Sequence, residues 1–369
     1  MMEMTTLCEL AELRKDTCNP QECNSGVYVG LKHIDSGSFH LSHHGQPSEV
    51  KSSKARFYPG DVLYGKLRPY LDKSVVADRE GICSTDILVL EPKNIPAWFL
   101  CGVLHTDKFI EHAKQTTHGV NHPRTSWSGI KVFETIDFTL PEQKKIAAIL
   151  LKLQEAISIQ DKIIQSLFDL KKSTMQHLFS KIMNDQNCNA MLFGDFSTLH
   201  RGYDLPLQDR NDGHVPIIGS NGIVGYHDEA KISGPGVVTG RSGSIGLSFY
   251  VIEDYWPLNT ALYVCDFHGN DRLYTHYFFQ WFDFKRYAAG VSVPTLNRNL
   301  VHQAKIKVPD IPQQKRVATA IRSIDNSIEC QNQKKANLQN LFKTTLNKLM
   351  NGDIRIAELD AEALGFEAK

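Results

Sequence analysis

The sequence predicts an α+β protein made of two copies of one unit, each a globular domain followed by a long helix. Three observations lead to this class: an internal self-similarity, two heptad seams, and globular segments rich in short β-branched and aromatic runs. The chain has 369 residues. One domain usually takes about 100 to 200 residues, so more than one core is expected.

The self-similarity is clearest between residues 141–147 (PEQKKIA) and 312–318 (PQQKRVA), which lie 171 residues apart. It continues downstream without a gap, and upstream the offset changes only where loops are expected. Further matches are Leu178 with Leu349, Gly119-Val120 with Gly290-Val291, and residues 62–66 with 237–241. The chain is therefore expected to contain two copies of one structural unit.

Each copy carries a heptad seam, with apolar residues at alternating spacings of four and three. The main seam positions are Ile146, Leu150, Leu153, Ile157, Gln160 and Leu167 in the first copy and Val317, Ile321, Ile324, Ile328, Gln331 and Leu338 in the second. Both copies place glutamine in the same layer, and a polar layer in an apolar seam usually fixes the register.

Pro141 and Pro312 are expected to be the first helical residues, because proline lacks the N–H that this position does not use. Asn351-Gly352 predicts the end of the second helix. Each helix then has about 40 residues and a length of roughly 60 Å. Two matched seams in one chain favour an antiparallel coiled coil within the molecule, and a coiled coil between two chains is the alternative.

These features predict five segments. Residues 1–140 and 187–308 form globular α+β domains, residues 141–186 and 309–352 form the helices, and residues 353–369 form a tail. Glycine-broken runs such as DILVL (86–90) and GVVTG (236–240) predict short strands joined by tight turns. A short helix is expected in each domain, near residues 98–115 and 272–288.

Both globular domains carry polar residues on glycine- or proline-flanked loops. Arg and Lys pair with guanine, Asn pairs with adenine, and Ser and Thr bind phosphates or bases. The candidate DNA-binding residues are Tyr64, Lys66, Arg68, His118, Asn121, Arg124, Arg201, Arg241, Ser242, Ser244, Thr295, Asn297 and Arg298. The alternative interpretation is that these residues bind no ligand and only keep the loops in contact with solvent.

Composition limits the other possibilities. Lys and Arg total 41, as do Asp and Glu, which argues against strong non-specific binding of nucleic acid but allows a local basic groove. The eight cysteines are scattered, so free thiols are expected and no metal site is predicted. The sequence shows neither a membrane-length apolar run nor a signal peptide, which favours a cytoplasmic protein.

No enzymatic motif is complete. The sequence has no NPPY-type loop for methyl transfer to an exocyclic amine. The segment GVVTGRS (236–242) has three residues between its glycines where a phosphate-binding loop needs four. A non-catalytic protein without a cofactor of its own is expected.

Two α+β domains, each followed by a helix that opens with Pro-x-Gln-Lys-x-x-Ala, resemble the DNA specificity subunits of type I restriction-modification systems. The resemblance covers the chain and is strongest at residues 140–147, 311–318 and 59–69. It implies two target recognition domains that each read half of a bipartite site in double-stranded DNA, and helices that set the spacing and dock two modification subunits.

The resemblance further implies that restriction subunits join the complex, and that S-adenosylmethionine, ATP and Mg²⁺ are bound by the partner subunits. The rival interpretation is a duplicated adaptor or carbohydrate-binding module. Such a module would present aromatic platforms and would not need basic loops.

Overall fold

The computed structural model describes residues 3–22, 26–290 and 294–354. Its contacts divide the chain into two compact units: unit 1 combines Met1–Lys162 with Gln333–Lys369, and unit 2 is Ile163–Asn332. Each unit therefore contains one globular domain and a part of both long helices. The boundaries between the units differ from the segment boundaries expected at residues 140, 186 and 308. Each long helix is divided between the two units, because one part of it packs with each globular domain.

The globular domain of unit 1 contains two sheets and a short ribbon. Its strands are β1 (Met4–Thr6), β2 (Ala11–Leu13), β3 (Thr17–Cys18), β4 (Val27–Val29), β5 (Lys54–Phe57), β6 (Val62–Gly65), β7 (Ser74–Val76), β8 (Gly81–Cys83), β9 (Ile87–Pro92) and β10 (Glu134–Ile136). The strand orders are β2-β9-β6-β7 in one sheet and β3-β5-β8-β4 in the other, and β1 pairs with β10 in the ribbon.

The helices that begin in unit 1 are α1 (Leu7–Leu10), α2 (Ala97–Leu104), α3 (Asp107–Gln115), α4 (Trp127–Ile130) and α5 (Leu140–Asn184). The single helix expected near residues 98–115 is in fact two helices. The chain breaks at His105 and Thr106, where the Thr106 hydroxyl accepts a hydrogen bond from the Phe109 N–H and caps α3. Phe99, Leu100 and Phe109 pack in the same core as β6.

Unit 2 repeats this plan with a smaller second sheet. Its strands are β11 (Asn189–Leu192), β12 (Thr198–Arg201), β13 (Val215–Gly219), β14 (Gly222–His227), β15 (Gly236–Gly240), β16 (Ser248–Val251), β17 (Trp256–Pro257), β18 (Ala261–Asp266), β19 (Ala288–Ala289), β20 (Thr295–Leu296) and β21 (Lys305–Val308). Its helices are α6 (Phe193–Phe196), α7 (Arg272–Trp281), α8 (Arg298–His302) and α9 (Ile311–Met350).

The main sheets of the two units have the same topology. The order β12-β18-β15-β16 in unit 2 corresponds strand for strand to β2-β9-β6-β7 in unit 1, and the ribbon β11-β21 corresponds to β1-β10. In both units, the helix after the long strand (α2 or α7) contacts the main sheet. The sequence repeat is therefore a structural repeat, and the predicted fold class is confirmed.

The long helices begin one residue earlier than predicted, so Pro141 and Pro312 are their second residues. This position still belongs to the first turn, where an N–H has no intrahelical acceptor. Thr139 donates to Glu142 at the start of α5, and Asp310 accepts from the Gln313 N–H (2.8 Å) at the start of α9. α9 ends at Met350, and Gly352 follows with a φ of 74°.

The two helices run antiparallel in one register. In unit 1, Lys335 of α9 forms an ion pair with Asp161 of α5. In unit 2, Lys171 Nζ lies 2.7 Å from Asp325 Oδ1. In both ion pairs the residue numbers add up to 496, so one register holds in both units. The coiled coil is thus formed within the chain, as predicted.

All the predicted seam residues are buried or half-buried. Gln160 precedes Asp161, which pairs with Lys335, so its layer in unit 1 contains the part of α9 near Lys335. Ile146 and Leu150 share the core of unit 1 with Leu346. In unit 2, the corresponding stretch of α9 contributes Val317 and Ile321 to the core.

The thiols mostly agree with the expectation. The cysteines described as free are Cys8, Cys83, Cys101, Cys188, Cys265 and Cys330. Cys18 is disulfide-bonded, so the expectation of free thiols is wrong for this residue. The tail expected at residues 353–369 lies outside the described residues beyond Ile354.

Candidate DNA interface

In unit 1 the structure brings the two predicted loops together. Residues 64–70 and 118–124, here called loop cluster 1, meet through backbone hydrogen bonds. The Arg68 N–H donates to the Pro123 carbonyl (2.7 Å), and the Thr125 N–H donates to the Lys66 carbonyl (3.0 Å). These bonds extend the main sheet beyond the end of β6, so the side chains of both loops lie at one edge of the domain.

Residues 118–124 form a short hairpin. The His118 N–H donates to the Arg124 carbonyl (2.9 Å), and the Arg124 N–H donates back to the His118 carbonyl (3.0 Å). Gly119 turns the chain with a φ of 92°, a conformation that is costly for residues with a Cβ. The tip of the hairpin exposes Val120 and Asn121 next to His118. These side chains are presented to solvent by a rigid frame.

Arg124 is exposed, but its guanidinium is paired. Nε lies 2.7 Å from Asp86 Oδ1, and Nη2 lies 3.4 Å from Asp86 Oδ2. The hydrogen bond that Arg124 donates to the Asp86 carboxylate raises the pKa of the guanidinium. This ion pair fixes the base of the hairpin to the loop before β9, and it neutralises the charge with which Arg124 was expected to approach DNA.

Tyr64 is not part of the interface, and the prediction is wrong for this residue. β6 lies between β9 and β7 in the middle of the sheet, so all four of its residues are buried. Tyr64 is only 3% exposed, its ring centroid lies 5.4 Å from that of Phe109, and burial raises the pKa of its hydroxyl. Lys66 and Arg68, which follow β6, are half-exposed.

Unit 2 brings its own pair of loops together in the same way. Residues 240–244 and 294–299 form loop cluster 2. The Leu296 N–H donates to the Arg241 carbonyl (2.8 Å), and Ser242 forms an antiparallel bridge with Thr295. In unit 1 the corresponding bridge joins Leu67 and Arg124. The repeat therefore includes the contact between the loops and not only the sheets.

Loop cluster 2 borders a cleft of about 400 Å³, here called the basic cleft. Arg201 reaches it from β12, Arg241 from the loop after β15, and Arg298 from the start of α8. The other residues that line it are Leu262, Ala289, Thr295, Leu296, Asn297 and Asn299. Among the described residues, none of those lining the cleft carries a carboxylate, so the cleft is suited to an anionic ligand such as the DNA backbone.

The remaining polar residues of loop cluster 2 have mixed roles. The Asn297 side chain caps α8 by accepting a hydrogen bond from the Asn299 N–H (3.0 Å). Ser242 and Ser244 are half-exposed on the loop beyond Arg241. Arg201 Nη2 lies 3.6 Å from Asp204 Oδ1, an exposed pair that leaves the cleft positive.

One neighbouring element was not predicted. The turn at Ser220-Asn221 joins β13 and β14 and lies against loop cluster 2, because Gly240 has no side chain. A Cβ at Gly240 would lie 2.0 Å from the Ser244 carbonyl oxygen and 3.0 Å from that of Ser220. The Asn221-Gly222 pair, typical of hairpin turns, was the available signal.

Across the described ranges, no group of three or more His, Cys, Asp or Glu side chains is placed to hold a metal ion. Nor does any helix there combine the length and apolar character needed to cross a membrane.

Comparison with known proteins finds a family match for part of the chain. Residues 189–340 match the family described as the type I restriction modification DNA specificity domain. This match covers the second globular domain and much of α9, the elements that carry loop cluster 2. Over this range the chain is similar to type I restriction specificity subunits. Its first domain has the same main sheet and the same pair of loops as the matched domain.

Two relatives of this chain are informative. The type I restriction enzyme EcoDI specificity subunit of Escherichia coli is 27% identical over 140 residues, which span 37% of this chain and 31% of the relative. The MjaVIII specificity subunit of Methanocaldococcus jannaschii is 21% identical over 332 residues and 76% of each chain. The match to the EcoDI subunit thus spans about a third of that relative.

Solved structures share the fold of this chain. A chain from a study of complex assembly and conformational transition of the type I R-M system aligns with a TM-score of 0.64 at 15% identity, over 95% of this chain and 98% of that chain. The S subunit of the type I restriction-modification system from M. genitalium aligns with a TM-score of 0.61 at 17% identity, over 95% and 96%. The likeness therefore extends over both units.

Proposed function

We propose that this chain is the non-catalytic subunit that gives a type I restriction-modification complex its DNA sequence specificity. Unit 1 reads one half of a bipartite target through loop cluster 1, and unit 2 reads the other half through loop cluster 2. The observation that carries the proposal is the recurrence of the same two-loop contact at the end of the same central strand in both units.

The chemistry of the loops supports this role. The basic cleft gathers three arginines without a lining carboxylate among the described residues, which favours contacts with phosphates and guanine. Lys66 and Arg68 remain candidates for the same task in unit 1. The net charge of zero fits a subunit that reads sequence while other subunits hold the duplex.

In this proposal the long helices dock two modification subunits, and restriction subunits join them. S-adenosylmethionine, ATP and Mg²⁺ are bound by those partners, which carry out methylation and cleavage. The complex works in the cytoplasm.

The interpretation as a carbohydrate-binding or adaptor module is not favoured. The tryptophans that could serve as platforms for such a module are not exposed: Trp256 is buried, and Trp98, Trp127 and Trp281 are half-buried. The family match also points to DNA specificity.

Sequencing of methylated bases in cells with and without this chain tests the proposal. We expect a bipartite methylated motif that is lost without the chain and restored by the intact chain. Replacement of residues 187–308 by the corresponding domain of a relative should change one half of the motif and leave the other unchanged. A motif that persists without the chain would contradict the proposal.

A further inference from the structure

We propose that Val120, at the tip of the hairpin in loop cluster 1, recognises an A·T base pair by packing against the C5-methyl group of thymine in the major groove. This inference rests on the proposed function and assigns a specificity-determining contact to a residue that has no polar chemistry.

The first observation is exposure. Val120 is 98% exposed, the highest value among the exposed large hydrophobic residues of the described chain. It contributes almost nothing to the core, although the hairpin that carries it is firmly held. An apolar side chain in this position gains free energy only when a ligand covers it.

The second observation is that hydrogen bonds hold the base of the hairpin. His118 and Arg124 exchange two backbone hydrogen bonds, and Arg68 and Asp86 tie the base of the hairpin to the sheet and the loop before β9. Val120 is therefore presented at a fixed point. The loss of conformational freedom on binding is correspondingly small.

The third observation is the repeat. The sequence has Gly-Val at residues 119–120 and again at 290–291, and both glycines have a positive φ, 92° and 109° respectively. A glycine with a positive φ thus precedes a valine in both copies. Val291 itself lies outside the described residues.

The neighbouring side chains select the ligand. Asn121, adjacent and exposed, has the donor and acceptor groups that pair with the N6 and N7 atoms of adenine. The thymine methyl group lies in the same groove and is a preferred partner for small apolar side chains. A valine beside an asparagine therefore matches an A·T pair better than a G·C pair.

The experiment is a double substitution that removes the two γ-methyl groups of Val120 on the protein and the C5-methyl group of thymine on the DNA. The complex of this chain with its modification subunits is titrated with duplexes that carry the methylated motif. Each thymine of the half-site read by unit 1 is replaced in turn by uracil, which lacks only the C5-methyl group. Val120→Ala is compared with the unaltered chain and with Val132→Ala, a matched control whose valine is 55% exposed outside the loop clusters.

We expect one thymine at which uracil weakens binding by the unaltered complex about fourfold, which corresponds to the burial of one methyl-sized group. Val120→Ala should bind the thymine duplex about fourfold more weakly and should be insensitive to uracil at that position. Val132→Ala should behave like the unaltered chain. Equal sensitivity of the Val120→Ala and unaltered complexes to uracil at every position, or unchanged binding by Val120→Ala, would overturn the inference.

The same titration separates this inference from the proposed function. If the unaltered complex shows no preference for the motif, the proposed function fails. If the preference is present but no thymine is coupled to Val120, or the half-site contains no thymine, only the Val120 inference fails.

Discussion

Arg241 and Arg124 lie at the same loop contact in the two units, but the charges around them differ. Arg241 opens onto a cleft that also contains Arg201 and Arg298. Arg124 takes the place of Thr295 in the repeated bridge, but its charge is balanced by Asp86. The two half-sites are therefore expected to be read by different chemistry, with positive charge more prominent in unit 2.

Arg241→Ala should weaken binding by about 1 to 3 kcal/mol at one base position of the half-site read by unit 2, because an arginine paired with guanine discriminates by that amount. Arg286→Ala is the matched control, since Arg286 is an exposed arginine of the same unit that pairs with Asp283 at 2.9 Å. Gel-shift titrations of the complex on single-base variants of the motif measure both. A uniform loss on all duplexes would show that Arg241 contacts phosphate and not a base.

Single residues show where sequence reasoning reaches its limit. Glycine and proline residues in the sequence correctly predicted the positions of both pairs of loops, because the conformation of a turn depends on the residues within it. It did not identify the partner of Arg124, since Asp86 lies 38 residues away in the chain. It also misplaced Tyr64, because a residue at the end of a strand is buried or exposed according to which strands flank it.

At the scale of elements, the glutamine of the repeated Pro-x-Gln-Lys-x-x-Ala motif makes different hydrogen bonds at the starts of α5 and α9. Gln314 donates to the Asn270 side chain (2.7 Å) and the Pro309 carbonyl (3.0 Å), and accepts from the Asp271 N–H (2.9 Å). Gln143 donates to the Phe138 carbonyl (2.8 Å).

The difference follows from the caps of the neighbouring helices. Asp271, which caps α7, supplies an N–H to Gln314. The corresponding cap of α2 is Pro96, which has no N–H. Accordingly, among the described residues, the buried Oε1 of Gln143 has no hydrogen-bond partner.

Gln314→Ala should therefore lower the free energy of unfolding more than Gln143→Ala. Loss of Gln314 leaves Asn270 and Asp271 without their buried partner, at about 1 to 3 kcal/mol for each unsatisfied group. Gln143→Ala removes one bond and also one unsatisfied oxygen, so a cost near 1 kcal/mol is expected. Urea unfolding of the full chain compares the two. A larger loss for Gln143→Ala would show that the cap contact is not what distinguishes the two sites.

The elements themselves were partly predictable. A heptad seam is a local pattern, so both long helices and their pairing could be anticipated. The break at His105 and Thr106 was missed because the apolar spacing continues across it. The compact units could not be read from the order of segments, since an antiparallel pair brings the start of one helix beside the end of the other.

At the scale of the whole molecule, α5 and α9 are continuous helices of 45 and 40 residues that run from one unit into the other. Because both helices follow one heptad register, a whole-heptad insertion in each keeps the heptad phase of the pair, and the seam contacts outside the stretch between the two insertion points are retained. The length of the helix pair can then be changed without changing either globular domain.

Seven residues inserted after Leu167 and seven after Leu338 should lengthen each helix by roughly 10 Å. This length corresponds to about three base pairs of duplex. We expect a methylated motif with both half-sequences unchanged and a longer spacer, measured by sequencing methylated DNA from cells that carry the insertion. A four-residue insertion in each helix is the control, because it breaks the heptad phase. An altered half-sequence with the old spacer would contradict the role of the helices as a ruler.

Each globular domain begins and ends on its own two-stranded ribbon. Met4 pairs with Ile136 in one ribbon, and Asn189 pairs with Val308 in the other. Paired residues in such ribbons lie only about 5 Å apart, so the chain leaves each domain almost where it came in. In genetic terms, each domain is a cassette. If the DNA that encodes the segment between the two ribbon strands is exchanged, with one crossover at each end, that domain is replaced while the helices and the other globular domain are inherited unchanged.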